Sequence, residues 1–197
     1  PPLSAPRGFS VQTFAAGVKY ARLLRFTPKG DLLVSTPRTG DIKILTADAN
    51  GDGRADAMRV LISGLNRPHG LDLFEGQLYI AEEDAIGRVA FDAARGEIVG
   101  SYERIVRNLP SGGHSTKTVR AGPDRKLYVT VGSGCNACIE RDGRRASMLR
   151  FDLDGGNGEV FAKGLRNSVG FDWRPQDGAI YATENGRDWL GDDLPPE

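Results

Sequence analysis

The sequence predicts an all-β chain of four-stranded sheets arranged radially, a β-propeller, on three observations. A turn followed by an apolar strand recurs, with Leu32-Leu33, Leu78-Tyr79, Leu127-Tyr128 and Ile180-Tyr181 at the same place in successive units, 46, 49 and 53 residues apart. A period of about 45–55 residues with about four strands per period is the signature of one propeller blade. A longer stretch also repeats: Gly64-Leu65-Asn66-Arg67-Pro68-His69-Gly70-Leu71-Asp72-Leu73 returns as Gly164-Leu165-Arg166-Asn167-Ser168-Val169-Gly170-Phe171-Asp172-Trp173. Finally, 26 Gly and 11 Pro punctuate short apolar runs, and no convincing amphipathic helix is present. A β-sandwich with coincidental repeats is the alternative.

Taken in chain order, each unit opens on a Pro/Asp/Gly turn such as Pro28-Lys29-Gly30-Asp31. A short apolar strand follows (Leu32-Leu33-Val34-Ser35), then an alternating one (Asp41-Ile42-Lys43-Ile44-Leu45). Later units repeat this at Leu78-Tyr79-Ile80-Ala81 with Gly87-Arg88-Val89-Ala90-Phe91, at Leu127-Tyr128-Val129-Thr130, and at Ile180-Tyr181-Ala182-Thr183. The count is about fifteen strands. Four periods use up the 197 residues, whereas propellers of this sequence style usually have six blades. The expectation is therefore a single propeller domain, 1–197, of the six-bladed type. This chain would cover about four blades, C-terminally incomplete, with the rest in a missing segment or another chain. The Pro1-Pro2-Leu3 start reads as a processed or trimmed product.

Charge and hydropathy exclude some functions. Lys+Arg and Asp+Glu are both 26, so the formal net charge is zero, without the basic footprint of a nucleic-acid binder or a polybasic membrane face. No uncharged apolar run approaches the roughly 20 residues that cross a bilayer.

Several residues carry candidate chemistry. Cys135-Asn136-Ala137-Cys138 is a lone C-x-x-C, too few cysteines for a four-cysteine zinc site; it reads as a local disulfide in an oxidising compartment or as two reduced structural thiols. No haem-attachment motif is present, because Ile139 follows Cys138. Gly112-Gly113-His114-Ser115 places one of only two histidines behind two glycines that permit close backbone approach to a ligand. An imidazole, with an ordinary pKa of about 6.5, suits proton abstraction at neutral pH. Arg166 in Leu165-Arg166-Asn167-Ser168 either bridges to a strand-end carbonyl or presents its fork to a carboxylate or oxyanion. The stretch Thr183-Glu184-Asn185-Gly186-Arg187-Asp188-Trp189-Leu190-Gly191-Asp192-Asp193 is oxygen-rich and suits Ca2+, or is a solvated acidic loop. Asp48-Ala49-Asn50-Gly51-Asp52-Gly53-Arg54-Ala55-Asp56 opens like a calcium loop, with Asp48, Asn50, Asp52 and Asp56 as ligands, but Arg59 stands at the twelfth position; a hairpin turn is the competing reading. His69 either faces the channel end and touches substrate or closes an inter-blade turn.

Gly113-His114, the run Ala121-Gly122-Pro123-Asp124-Arg125-Lys126-Leu127-Tyr128, then Leu165-Arg166-Asn167 and Thr183-Glu184-Asn185-Gly186 together resemble the soluble quinoprotein sugar dehydrogenases, six-bladed propellers that use pyrroloquinoline quinone (PQQ). Within them the nearest branch is sorbosone dehydrogenase-like, through Gly134-Cys135-Asn136-Ala137-Cys138 and Arg187-Asp188-Trp189-Leu190-Gly191-Asp192-Asp193-Leu194-Pro195-Pro196. The resemblance implies that His114 is the general base toward the sugar's anomeric hydroxyl. It implies that Arg166 and Asn167 lie beside the quinone, Arg166 stabilising developing negative charge. It also implies that the backbone carbonyls of Gly186 and Arg187 hold the cofactor's Ca2+. The loop is about two residues longer than in the glucose dehydrogenases, with Arg187 where they carry proline. The resemblance further implies oxidation of an aldose or aldehyde sugar outside the cytoplasm, periplasmic or secreted, with electrons passed to a separate acceptor. The rival readings are a calcium-dependent lactonase on a similar propeller and a non-enzymatic binding propeller.

Overall fold

The computed structural model describes residues 3–191 and 193, and fourteen strands lie among them. The first sheet holds β1 (Leu24–Phe26), β2 (Leu32–Thr36), β3 (Asp41–Leu45) and β4 (Met58–Ile62). The second holds β5 (Leu71–Phe74), β6 (Gln77–Ala81), β7 (Ile86–Asp92) and β8 (Glu97–Val106), and the third β9 (Lys117–Ala121), β10 (Lys126–Val131), β11 (Ser147–Asp152) and β12 (Glu159–Lys163). Each is an antiparallel meander in sequence order. The fourth sheet has only β13 (Ser168–Trp173) and β14 (Ile180–Glu184), so the described residues form three complete blades and the inner half of a fourth. That refines the four-blade expectation: the last of the four sequence periods contributes two strands.

The four repeat marks fall on β2, β6, β10 and β14, and the first strand of each blade packs on the next: β1 on β5, β5 on β9, β9 on β13. Strand faces alternate, so each blade gives one apolar set to each neighbour. Leu33, Ile42 and Ile44 meet Leu71, Leu78 and Ile80 between blades one and two, while Tyr79, Ala81 and Ile86 meet Val119, Leu127 and Val129 between two and three. Between three and four the contact is aromatic, with the Tyr128 ring centroid 5.3 Å from that of Trp173. The face of blade one turned away from blade two is covered in part by Phe14, Ala15 and Val18, but Leu24 and Phe26 there remain 57% and 65% exposed.

A chain of ion pairs ties the first strands together at equivalent positions. Arg25 of β1 pairs with Asp72 of β5, Arg120 of β9 lies 3.6 Å from the same carboxylate, and Arg120 also pairs with Asp172 of β13 at 3.2 Å. Charge alternates blade by blade. The Asp72 carboxylate, 2% exposed, also accepts the Ala121 backbone N–H of the next blade, so it is paired on both sides, as a buried charge requires. Blades approach so closely that a Cβ on Gly70 would stand 2.7 Å from the Lys117 carbonyl oxygen, whose partner is the Gly70 N–H.

Candidate functional site

The loops that enter the first strands of blades three and four, and the loop that leaves β14, converge on a cleft of 480 Å3 lined by His114, Arg166, Asn167, Glu184, Asn185, Gly186, Arg187, Asp188 and Leu190. Residues some seventy positions apart therefore share one mouth, as a radial repeat requires. The sequence-predicted His114, Arg166, Asn167, Gly186 and Arg187 are brought together here.

His114 is half-buried, and its Nδ1 lies 2.9 Å from the Ser133 carbonyl oxygen and 3.0 Å from Ser133 Oγ. A carbonyl only accepts, so in the neutral ring the proton sits on Nδ1 and the lone pair on Nε2. The Ser133 hydroxyl, in turn, donates to the Cys135 carbonyl at 2.6 Å, which leaves Oγ as a second acceptor for the ring. Glycine makes this packing feasible. A Cβ on Gly132 would stand 2.5 Å from His114 Cβ and 3.0 Å from Asn167 Oδ1, and one on Gly113 (φ +60°) would stand 2.6 Å from Gly134 Cα. Buried Lys117 donates from Nζ to the Ser115 carbonyl at 2.9 Å and steadies the turn after His114; burial, aided by the charge of Arg145, lowers its pKa to about 8.

Arg166 is committed more deeply than a free oxyanion fork. Its Nε donates to the Asn136 carbonyl (2.8 Å), Nη1 to the Asn185 carbonyl (3.0 Å), and Nη2 to Asn136 Oδ1 and Asp188 Oδ2 (both 2.8 Å). Four of its five N–H groups thus organise loops, and one on Nη1 is left without a partner among the described residues. Arg166 bridges two loop carbonyls and pairs with the Asp188 carboxylate.

In the loop after β14 the carbonyls of Asn185 and Asp188 accept hydrogen bonds, from Arg166 and from Asn136 Nδ2 respectively. The two carbonyls between them, Gly186 and Arg187, receive none from the described residues. Carbonyl oxygens are among the ligands that a hard cation takes. Trp189 follows with φ +68° and is 92% exposed. Asp192 and the Leu194-Pro195-Pro196 stretch lie outside the described residues.

Sequence reasoning assigned no individual role to four residues that build this site: Glu184 and Asp188 stand in the oxygen-rich stretch it singled out, and Ser133 and Asn136 support the cleft from behind. Ser133 and Asn136 hold the His and the Arg, Asp188 neutralises Arg166, and Glu184 accepts the Asn167 N–H at 2.6 Å and the Ser168 hydroxyl. Glu184 occupies the repeat position of Glu82, three residues beyond the tyrosine of β6 or β14, and this homology was the available signal. Glu82 accepts the Asn66 N–H in the same way.

Two predicted sites lie elsewhere. His69 is 3% exposed, is not among the residues that line the cleft, and bonds through Nδ1 to the Lys117 carbonyl across the blade interface (3.1 Å); burial lowers its pKa to about 4. The structure gives it the inter-blade role. In the Asp48–Asp56 loop, Asp48 accepts the N–H groups of Gly51, Asp52 and Gly53, Asn50 that of Asp52, Asp52 that of Arg54 and Asp56 that of Ala49, a turn network closed on itself. Among the described residues the one trio of His, Cys, Asp or Glu with ligand atoms within 4.8 Å of one another is Cys135, Cys138 and Glu140, and its two sulfurs are joined as a disulfide with Cα atoms 6.2 Å apart.

Fold and cleft together define a β-propeller with a polar, histidine-bearing site at one mouth. The chain belongs to the TrAA12-like family, whose profile matches residues 3–193. An uncharacterised protein of Borreliella burgdorferi is 28% identical over 209 residues, which span 99% of this chain and 52% of that protein. Among solved structures, the holo form of the pyranose dehydrogenase PQQ domain from Coprinopsis cinerea superposes with a TM-score of 0.78 at 24% identity, covering 89% of this chain and 46% of that one. A calcium structure of the Trichoderma reesei carbohydrate-active enzyme of family AA12 gives 0.78 at 24% identity, covering 94% and 50%. At this identity the two structures establish a shared fold. The chain spans about half the length of the relatives it matches. No helix among the described residues is long and apolar enough to cross a membrane.

Proposed function

We propose that this chain carries the reacting face of a propeller that oxidises an aldose or aldehyde sugar with PQQ and Ca2+. The observation that carries the reading is the pinned Nδ1–H of His114, which leaves a basic Nε2 in the same cleft as two unpartnered backbone carbonyls. Membership of the TrAA12-like family and the fold shared with a pyranose dehydrogenase PQQ domain support it.

The residues present fit the metal half of the cofactor well. Gly186 and Arg187 carbonyls would hold Ca2+, and Asn167 and the remaining Nη1–H of Arg166 would meet ligand oxygens. When bound, the quinone takes up the electrons of the oxidation. His114 Nε2 removes the hydroxyl proton of the sugar, and its Nδ1 bond to Ser133 stabilises the imidazolium that results. Asn167, seated over Gly132, lines the cleft beside His114.

The three carboxylates of PQQ call for several cations. Arg166 is largely neutralised by Asp188, so the other cations would come from blades outside these residues, in another segment or another chain. The exposed Leu24 and Phe26 on one free face support such blades. The disulfide supports a periplasmic or secreted location, with electrons leaving to a separate acceptor. A lactonase on this scaffold would need carboxylate and amide ligands converging from several blades; the carboxylates and amides that line this cleft, Asn167, Glu184, Asn185 and Asp188, all come from blade four.

The test is reconstitution of the full-length protein with Ca2+ and PQQ, followed by dye reduction with a panel of aldoses. Quinone-dependent turnover is expected. No retained quinone absorbance and no turnover would refute the reading in favour of a binding platform.

A further inference from the structure

We propose that the Cys135–Cys138 loop is a positioning clamp for the cleft, acting through Asn136 and Ser133, and that reduction of the disulfide releases it. The inference rests on the reading above only for its consequence for the cofactor; the clamp itself stands on contacts within this chain.

Asn136 lies between the two cysteines, and its backbone is confined by the bond that closes the loop. From there it makes four hydrogen bonds toward the site. Its carbonyl takes Arg166 Nε, Oδ1 takes Arg166 Nη2 and the Asp188 N–H (2.7 Å), and Nδ2 donates to the Asp188 carbonyl (3.0 Å). One side chain from blade three thereby fixes both the guanidinium that enters blade four and the loop that leaves it. The carbonyls of Gly186 and Arg187 sit on that loop, two residues and one residue before the doubly held Asp188. At the other end of the same turn, the Cys135 carbonyl takes the Ser133 hydroxyl proton and so keeps Ser133 Oγ an acceptor toward His114 Nδ1. The loop also receives Glu140, whose carboxylate accepts the Gly134 N–H. A surface loop with no task needs none of this reach across the blade interface.

Cys138 is exposed and Cys135 partly so, which leaves the bond open to a small thiol. A dithiol such as dithiothreitol supplies the two electrons and two protons. The S–S bond breaks, two S–H bonds form, and the reagent closes to a cyclic disulfide. Asn136 then regains backbone freedom that the closed ring denied it, and its four contacts weaken together. Ser133 and Asn136 are positioning residues, since neither lines the cleft.

The experiment uses the full-length protein in oxidised and dithiol-reduced forms, with Asn136→Ala, Asn136→Asp and the Cys135→Ser/Cys138→Ser pair. Amide exchange of the segment holding Asp188 should quicken at least about tenfold in the reduced, Asn136→Ala and double-serine proteins, because a hydrogen bond to that amide is lost or loosened. Asn136→Asp, which keeps the Oδ1 acceptor, should restore much of the protection. Binding of PQQ with Ca2+ should weaken about tenfold or more in step with exchange, while far-UV circular dichroism stays that of the folded blades. Unchanged exchange in both the reduced protein and the intact-disulfide Asn136→Ala variant overturns the clamp, whatever the quinone does. Failure of the untouched oxidised protein to bind quinone would instead sink the proposed function and leave the exchange result to judge the clamp.

Discussion

Replacement of Glu82 by Gln offers the sharpest test of how blade two is held. The Glu82 carboxylate is 0% exposed and accepts from Arg104 Nε (2.7 Å) and Nη2 (2.8 Å), from Tyr102 OH (2.8 Å) and from the Asn66 N–H. Burial alone would raise its pKa, but Arg104, the Asn66 amide and Tyr102 outweigh that, and the net shift is downward. A Gln amide sets an NH2 against one of these donors and leaves the guanidinium without its counter-charge. Breaking a buried pair by removing one partner costs roughly 3–5 kcal/mol. Arg104 is 37% exposed on its side chain, so water compensates part of the loss and about 3 kcal/mol is expected here. For a chain of this size that is a fall in Tm of about 6–12 °C. Urea denaturation at pH 7 measures it directly, with an unchanged m-value expected. The sign with pH follows from the depressed folded pKa. The unfolded chain binds the proton first on acidification, so the stabilisation is present above the ordinary glutamate range and is lost as pH falls below it. The Gln variant should therefore lose less stability in acid than the parent. A cost under about 1 kcal/mol at pH 7 would refute the view that this buried ion pair anchors the outer strand of blade two.

Three further outcomes are expected. His69, neutral when folded with a pKa near 4 against an ordinary 6.5, binds its proton preferentially when unfolded; stability should fall by about 3 kcal/mol between pH 6.5 and 4, and His69→Gln should remove that slope in a series of urea melts. His114→Gln should lower turnover by about 100- to 10,000-fold in the reconstituted full-length protein while quinone absorbance is retained, and preserved turnover would exclude it as the base. Asp48→Ala should lower stability by about 1–2 kcal/mol with or without a chelator, because it strips acceptors from three backbone N–H groups; a loss seen only without chelator would establish a bound cation instead.

Much of the architecture follows from local patterning. The turn-and-strand unit at Leu32, Leu78, Leu127 and Ile180 marks the second strand of every blade, because alternation and turn chemistry act over a few residues and read the same wherever the blade sits. The same locality makes Cys135 and Cys138 legible as a closed loop three residues apart, and makes His114 stand out behind Gly112 and Gly113. The fourth period counts as a blade in the sequence because one strong strand pair with its turn looks like the start of any other unit, and the described residues supply two of its strands. The fate of His69 was open for a similar reason: its sequence neighbourhood matches that of Arg166, but which of two homologous loops opens to a cleft depends on what the adjoining blade presents. For His69 that is the Lys117 carbonyl; for Arg166 it is Asn136.

The amino-acid sequence by itself determined the strands, their period and the residues able to do chemistry, since these are set by side-chain alternation, turn residues and intrinsic reactivity. Only the tertiary structure decided that Ser133 fixes the His114 proton on Nδ1, that Asn136 and Asp188 occupy most of Arg166, and that the carbonyls of Gly186 and Arg187 are left free between two that are taken. The Asn136 contacts cross from blade three to blade four over 30 and 52 residues of chain, and the His114 and Asp188 contacts close within one blade over 19 and 22. Their geometry is set by how strands and sheets pack, which no local pattern encodes.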